Sequence, residues 1–275
     1  MKTGGQLVSC FFIALFTVLV AAPTVLAQPT KPKDGPLGMK FVPLPKGTFY
    51  LHTGPGSAKK TEIKEEFEIA IYTVTQQQWQ AVMGKNPSWF SREGGGKDNV
   101  KDIKDEDLRH FPVEMMTWTD VQEFIKKLNA KEKGNGYVYK VPTEAEWEYA
   151  CRGGPATEEE WSYHFYFEKP TNDLSSKQAN FNGERPYGKG EKGPYLKRPT
   201  KVGSYMPNKL GLYDMHGNVW HWTDAPWDEG GGRMLRGGGW NDDGASCTAS
   251  KRFRPAMGTP WYDDVGFRLA RVLAR

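Results

Sequence analysis

Apolar positions form short periodic stretches in the first half of the chain and lose their period in the second. Phe67, Ile69 and Ile71 alternate with Glu68 and Ala70, the two-residue period of a half-buried strand. Residues 41–44 and 48–51 predict a short hairpin, and 137–141 and 265–269 read as further strands. Between them the period becomes helical. Val121, Phe124, Ile125 and Leu128 fall at i, i+3, i+4 and i+7, one buried stripe behind a capping box of Thr119 and Gln122. Thr75 opens a shorter helix to Met83, stopped by Gly84. Thr143 with Glu146 opens a third, stopped by Gly153-Gly154, with Trp147, Ala150 and Cys151 on one face. From Gly154 onward, about 120 residues rich in Gly, Pro, Asn, Asp and aromatics show little periodicity. Irregular backbone of that length must find partners for its amides, which predicts dense side-chain capping, buried tryptophans and bound ions.

The first residues follow another plan. Lys2 precedes an apolar run over 11–20, and Val25-Leu26-Ala27 offers small residues at a cleavage point before Gln28, as an export signal would. Leu7-Val8-Ser9-Cys10 resembles a lipoprotein box but precedes the apolar run, which is shorter than the roughly 20 residues that span a bilayer. The expectation is a signal peptide over 1–27, a flexible lead over 28–38 and one domain over 39–275, in a periplasmic or secreted location. Only the signal would meet a membrane. After its removal Cys151 and Cys247 remain, as small buried hydrophobes or as a disulfide that the compartment permits. With 37 Lys plus Arg against 33 Asp plus Glu, the chain lacks the basic field that would make nucleic acid a partner. The 31 Gly and 19 Pro, with 10 Trp, 12 Tyr and 14 Phe, fit a loop-rich fold whose core is built on large rings.

Several longer motifs follow one another in an order that carries a resemblance. FVPLPKGTF (41–49) is followed by VTQQQW (74–79), Pro112-Val113, Trp118 and PTEAEWEYACRGG (142–154). GLYDMHGNVWHWT (211–223), LRGGGW (235–240) and GFRLAR (266–271) complete the order. Together they resemble the sulfatase-modifying-factor family, the formylglycine-generating enzymes and their relatives, over residues 39–271. The resemblance implies an α+β single domain related to C-type lectins, with much irregular structure. It also implies a chemistry in which copper and oxygen convert the cysteine of a C-x-P-x-R protein segment to formylglycine, so an active member would be an oxidoreductase.

Residue by residue, the implied site is altered. Family members keep two thiolates, four residues apart, after the Gly-Gly pair, and thiolate is the soft ligand that Cu(I) selects. The second thiolate falls on Cys247, the first on Asp242, and the Ser that precedes the aromatic falls on Gly239. A carboxylate is a poor donor to Cu(I), so copper is not expected. Cys247 reads either as a surviving nucleophile tuned by Asp242 and Asp243 or as a cysteine buried by the fold. The family's disulfide from the Cys151 position ends on Leu269, so that bridge is missing too. One implied calcium site maps onto Asp214, Gly217, Val219 and His221, where an imidazole replaces a carboxylate. A second maps onto Asn180 and Phe181, with Glu191 or Lys192 near its later ligand. Calcium stays open as a structural ion, and His216, His221, Asp214 and Asp224 form a candidate set for a transition ion.

Trp220, Trp222, Trp227 and Trp240, with Trp261, Tyr262, Asp263 and Asp264, could line a groove for an extended peptide, burial in the core being the competing role for the tryptophans. Two functions follow. One is an exported protein that modifies a protein, peptide or peptide-derived substrate through a rearranged site at Asp242, Asp243 and Cys247, with Trp220, Trp240, Trp261 and Tyr262 binding it. The other is a non-catalytic module that presents the aromatic groove to a partner.

Overall fold

The computed structural model describes Met1 and residues 31–54, 57–155, 157, 159–227, 232–255 and 262–275. The expected signal peptide and Trp261 lie outside the described residues. In chain order the strands are β1 (Lys33–Asp34), β2 (Lys40–Leu44), β3 (Gly47–Gly54), β4 (Ser57–Ile63), β5 (Phe67–Ala70), β6 (Tyr137–Lys140), β7 (Phe165–Tyr166), β8 (Pro170–Thr171), β9 (Trp220–Pro226), β10 (Arg233–Arg236), β11 (Arg252–Phe253), β12 (Val265–Phe267) and β13 (Ala270–Leu273). The helices are α1 (Gln76–Met83), α2 (Asp105–Leu108), α3 (Trp118–Lys131) and α4 (Glu144–Cys151). One sheet has the order β1-β2-β5-β13-β6, so the last strand of the chain closes its interior. A second has the order β11-β10-β9-β12, with β12 parallel to β9, and β3-β4 and β7-β8 form two further two-stranded sheets. This is an α+β fold in which long irregular segments join short regular elements.

Capping chemistry fixes the helices. Thr75 and Gln78 form a reciprocal box at α1, Thr143 and Glu146 another at α4, and Gly84 ends α1 in the left-handed region. At α3 the box forms two residues earlier than the sequence suggests: the Thr117 hydroxyl accepts from the Asp120 amide and the Asp120 carboxylate accepts from the Thr117 amide. The segment TWTDVQ offers two overlapping boxes, and the earlier one leaves the stripe of Val121, Phe124, Ile125 and Leu128 buried as expected. Trp79 of α1 stacks on Phe124 at 5.2 Å, and Phe267 of β12 meets both rings edge-on at 5.9 and 5.4 Å.

The strands depart further from expectation. Residues 41–44 and 48–51 do not pair with each other: β2 is flanked by β1 and β5, and β3 pairs with β4 in a separate hairpin. Both edges of β2 being taken, the chain leaves the sheet at Pro45 and carries Phe49 onto Tyr149 of α4, with ring centroids 5.4 Å apart. The lead over 28–38 is tied down from Lys33, which pairs with Phe41, to a turn at Pro36–Gly38. β5 is buried on both faces, because Glu68 is neutralised inside by Arg271 at 2.7 Å and Lys33 at 2.5 Å. The strand expected over 265–269 is shorter: β12 ends at Phe267, and the chain crosses through 268–269 into β13 of the first sheet. Arg268, fully buried at the crossing, donates to the carbonyls of Ala70 (2.6 Å) and Tyr213 and pins the step. Among the described residues no helix is long and apolar enough to cross a membrane.

Candidate functional site

The loop after β10 brings the altered motif together. Gly237 and Gly238 have φ of +104° and +84°, and a side chain at Gly238 would come within 2.6 Å of the Cys247 sulfur. The chain then turns through Asn241 into a short helical turn at Gly244–Cys247, capped by the Asp243 carboxylate, which accepts from the Ser246 amide at 3.0 Å. Cys247 is fully buried among Phe165, Leu174, Ala179 and Phe181, with the Asp243 carbonyl 3.7 Å from its sulfur. Burial, then the negative charges of Asp242 and Asp243, raise its thiol well above the usual range, so sulfur here is protonated and unreactive. Cys151 is likewise free and buried, its thiol pushed up to about 12 by burial.

Asp242 stands where the resemblance implies the first thiolate. Its Oδ2 accepts from the Trp220 indole at 2.7 Å and from the Gly239 amide at 2.9 Å. A hard oxygen already engaged by two donors, beside a buried protonated thiol, does not make a Cu(I) site, and the residues do not fit that group. Gly239 instead lies tight against two carboxyls. A Cβ there would lie 3.0 Å from Asp264 Oδ2 and 3.2 Å from Asp242 Oδ2, so a glycine fits beside them where a side chain would crowd both. Burial, then the charges of Asp242 and Asp263, push Asp264 up to about 7, and burial raises Asp242 as well. Asp264 thus keeps its proton to near neutrality.

Rings border the carboxyls. Trp220 stacks on Phe253 at 5.3 Å, and Tyr262 meets Phe253 edge-on at 6.5 Å. Trp220 and Trp222 are core residues on the same face of β9, as their spacing in a strand requires, while Phe253, 36% exposed, carries the aromatic surface outward. Trp240 is buried, edge-on to Phe90 at 5.3 Å, and donates to the Asp263 carbonyl at 3.1 Å, which fixes the segment bearing Tyr262 and Asp264. Trp227 sits apart beneath Arg254, 5.0 Å from its ring centre. Sequence reasoning did not find Phe253 or Glu114. The Glu114 carboxyl receives the amides of Trp89 (2.8 Å) and Phe90 (3.1 Å), anchoring that loop, and burial pushes it up to about 8. Neither stands in a motif, and only the contacts identify them.

The implied calcium ligands are placed differently from one another. Asp214, at φ +55°, accepts from the Gly203 amide at 2.8 Å and is pushed up to about 6 by burial. The Gly217 amide donates to the Gly237 carbonyl at 2.7 Å, and Val219 is buried. His221 is buried and its Nδ1 accepts from the Trp147 indole at 2.8 Å; burial, with the charge of Arg268, holds it neutral. That leaves its proton on Nε2, a donor, so His221 does not fit a calcium ligand. At the second position the Asn180 amide donates to the Arg198 carbonyl (3.0 Å) and to Asn218 Oδ1 (3.1 Å), and its own carbonyl receives the Asn218 amide. Phe181 packs beside Cys247, and Glu191 is held by Lys177 at 2.6 Å on the surface. His216 is spent on the Cys247 carbonyl and the Tyr166 amide, and Asp224 is exposed. Among the described residues no three His, Cys, Asp or Glu side chains gather as an ion would need, so the set of His216, His221, Asp214 and Asp224 is not brought together.

Comparison with known proteins agrees with the architecture. Residues 28–273 match the family model described as a sulfatase-modifying factor enzyme 1-like domain. The chain is 31% identical over 266 residues to a protein named Chaperone protein LppX from Paenibacillus barcinonensis, covering 82% of this chain and 87% of that one. It is 37% identical over 207 residues to the Inactive C-alpha-formylglycine-generating enzyme 2 of Mus musculus, covering 72% of this chain but 58% of that protein. The structure of PvdO from Pseudomonas aeruginosa superimposes with a TM-score of 0.64 at 24% identity, over 89% of this chain and 100% of that one, a likeness of fold. The chain belongs to the sulfatase-modifying-factor family.

Proposed function

We propose that this protein is an exported, protein-binding member of its family that grips an extended segment of a partner without copper-dependent oxidation. One observation carries the reading. The position of the first thiolate is an aspartate bound to Trp220 and Gly239, and the remaining cysteine is buried and protonated, so no sulfur pair stands ready for Cu(I). What the site offers instead is the exposed ring of Phe253, backed by the buried Trp220 and flanked by Tyr262, beside two carboxyls, a surface suited to apolar and cationic side chains of a peptide. Relatives named as a chaperone and as an inactive formylglycine-generating enzyme support the same direction. Export rests on the leading segment, Lys2, the apolar run and Ala27.

The test has two arms. The mature protein is incubated with copper, oxygen and a C-x-P-x-R peptide, and the peptide mass is followed; no aldehyde is expected. In parallel it is added to a reduced, unfolded model protein. Suppressed aggregation is expected, and Phe253→Ala should weaken it. Aldehyde formation by the wild type would overturn the reading. Modification of a substrate through the carboxyls of Asp242 and Asp264 is the second reading, favoured by their closeness to Gly239 and by the raised Asp264, and it predicts a mass change in the bound partner that Asp264→Asn abolishes.

A further inference from the structure

We infer that the position the resemblance gives to calcium at Asp214, Gly217, Val219 and His221 is closed to that ion, the Trp147–His221 hydrogen bond fixing a donor where the family has an oxygen ligand. A calcium ion needs converging oxygen acceptors. His221 presents none: with Nδ1 occupied by the Trp147 indole proton at 2.8 Å, a neutral ring must carry its own proton on Nε2. That atom is buried and meets no protein acceptor among the described residues, so a donor stands where a glutamate would have supplied oxygen.

Other buried contacts hold the surrounding loops. Arg268 is fully buried and donates to the carbonyls of Ala70 and Tyr213. Asp214 meanwhile accepts the Gly203 amide, which ties the loop before it to the cluster. The Gly203–Asp214 bond thus ties these loops to each other, and the Trp147 indole ties His221 to α4.

The ring nitrogens of His221 report directly on this arrangement. Side-chain nitrogen–proton correlation spectra of the full, isotope-labelled protein are recorded with excess EDTA and with millimolar calcium. His221 should show the neutral tautomer with the proton on Nε2 and Nδ1 as an acceptor, unmoved between the two conditions. Trp147→Phe should shift its Nδ1 resonance. A His221 signal that moves with calcium, or an unprotonated Nε2, would overturn the inference, whatever any other site on the protein binds. A second variant gives an independent readout. His221→Glu should acquire a rise in unfolding temperature with calcium that exceeds any shown by the wild type, whereas a wild-type rise as large as the variant's would count against the inference.

Discussion

The layer of α1, α3 and β12 and the loop segment over 172–218 solve the same problem in opposite ways. In the first, helices and a strand satisfy their own amides, and side chains are free to pack: Trp79, Phe124 and Phe267 interlock as rings, and Val121, Ile125 and Leu128 fill the space behind them. In the second, side chains replace secondary structure. Asn218 Oδ1 accepts from Thr200 N at 2.9 Å and from the Asn180 amide, while Asn208 donates to the carbonyls of Ala150 and Cys151 and accepts from the amides of Leu210 and Leu212. One region is stabilised by buried area, the other by completed hydrogen bonds whose loss leaves a buried polar group bare. The contrast teaches where tolerance lies: volume matters on one side, donor and acceptor identity on the other.

The contrast can be broken by mutation. Phe124→Ala empties the centre of the ring stack and should cost about 3–5 kcal/mol, read as a lower urea midpoint with an unchanged slope. Asn218→Ala strips the acceptor from buried Thr200 N and the Asn180 amide and should cost about 1–3 kcal/mol. Its amide exchange should quicken over 198–218 while α3 stays protected. Equal acceleration in α3 would show that the two regions open as one unit and that the contrast has no energetic meaning.

A smaller effect sharpens the comparison at the carboxyl pair. Asp264 has a folded value of about 7 against an ordinary 3.8, so the fold favours its protonated form. Its contribution is present in full below the unfolded value and is lost as pH rises toward the folded one, so stability should decline between about pH 4 and about pH 7. Asp264→Asn, which cannot ionise, should flatten that decline in a series of unfolding temperatures against pH. Asp242 and Glu114, also raised, would keep the remainder of the slope. An unchanged slope in the variant would mean that Asp264 is ionised throughout.

Much of the regular layer was legible because its signals are local. Three helices declare themselves through a cap and a stripe, and even the misplaced cap at Thr117 moved α3 by only two residues. Strand pairing was not legible. Residues 41–44 and 48–51 carry the same apolar content whether they pair with each other or with distant strands, and only the competition for the edges of β2 decides. At the candidate site, the motif identified Asp242 and Cys247, but Phe253 lies outside any motif and owes its role to Trp220 and Tyr262 beside it.

By itself, then, the sequence determined the family, three of the helices and the loss of one sulfur, since each is written in residue identity and spacing a few positions apart. The tertiary structure decided the rest. The state of Cys247 depends on burial, that of Asp264 on burial beside Asp242 and Asp263, and that of His221 on an indole proton from a helix 74 residues away. Protonation follows local dielectric and the nearest donors, and those neighbours are assembled only when distant segments meet.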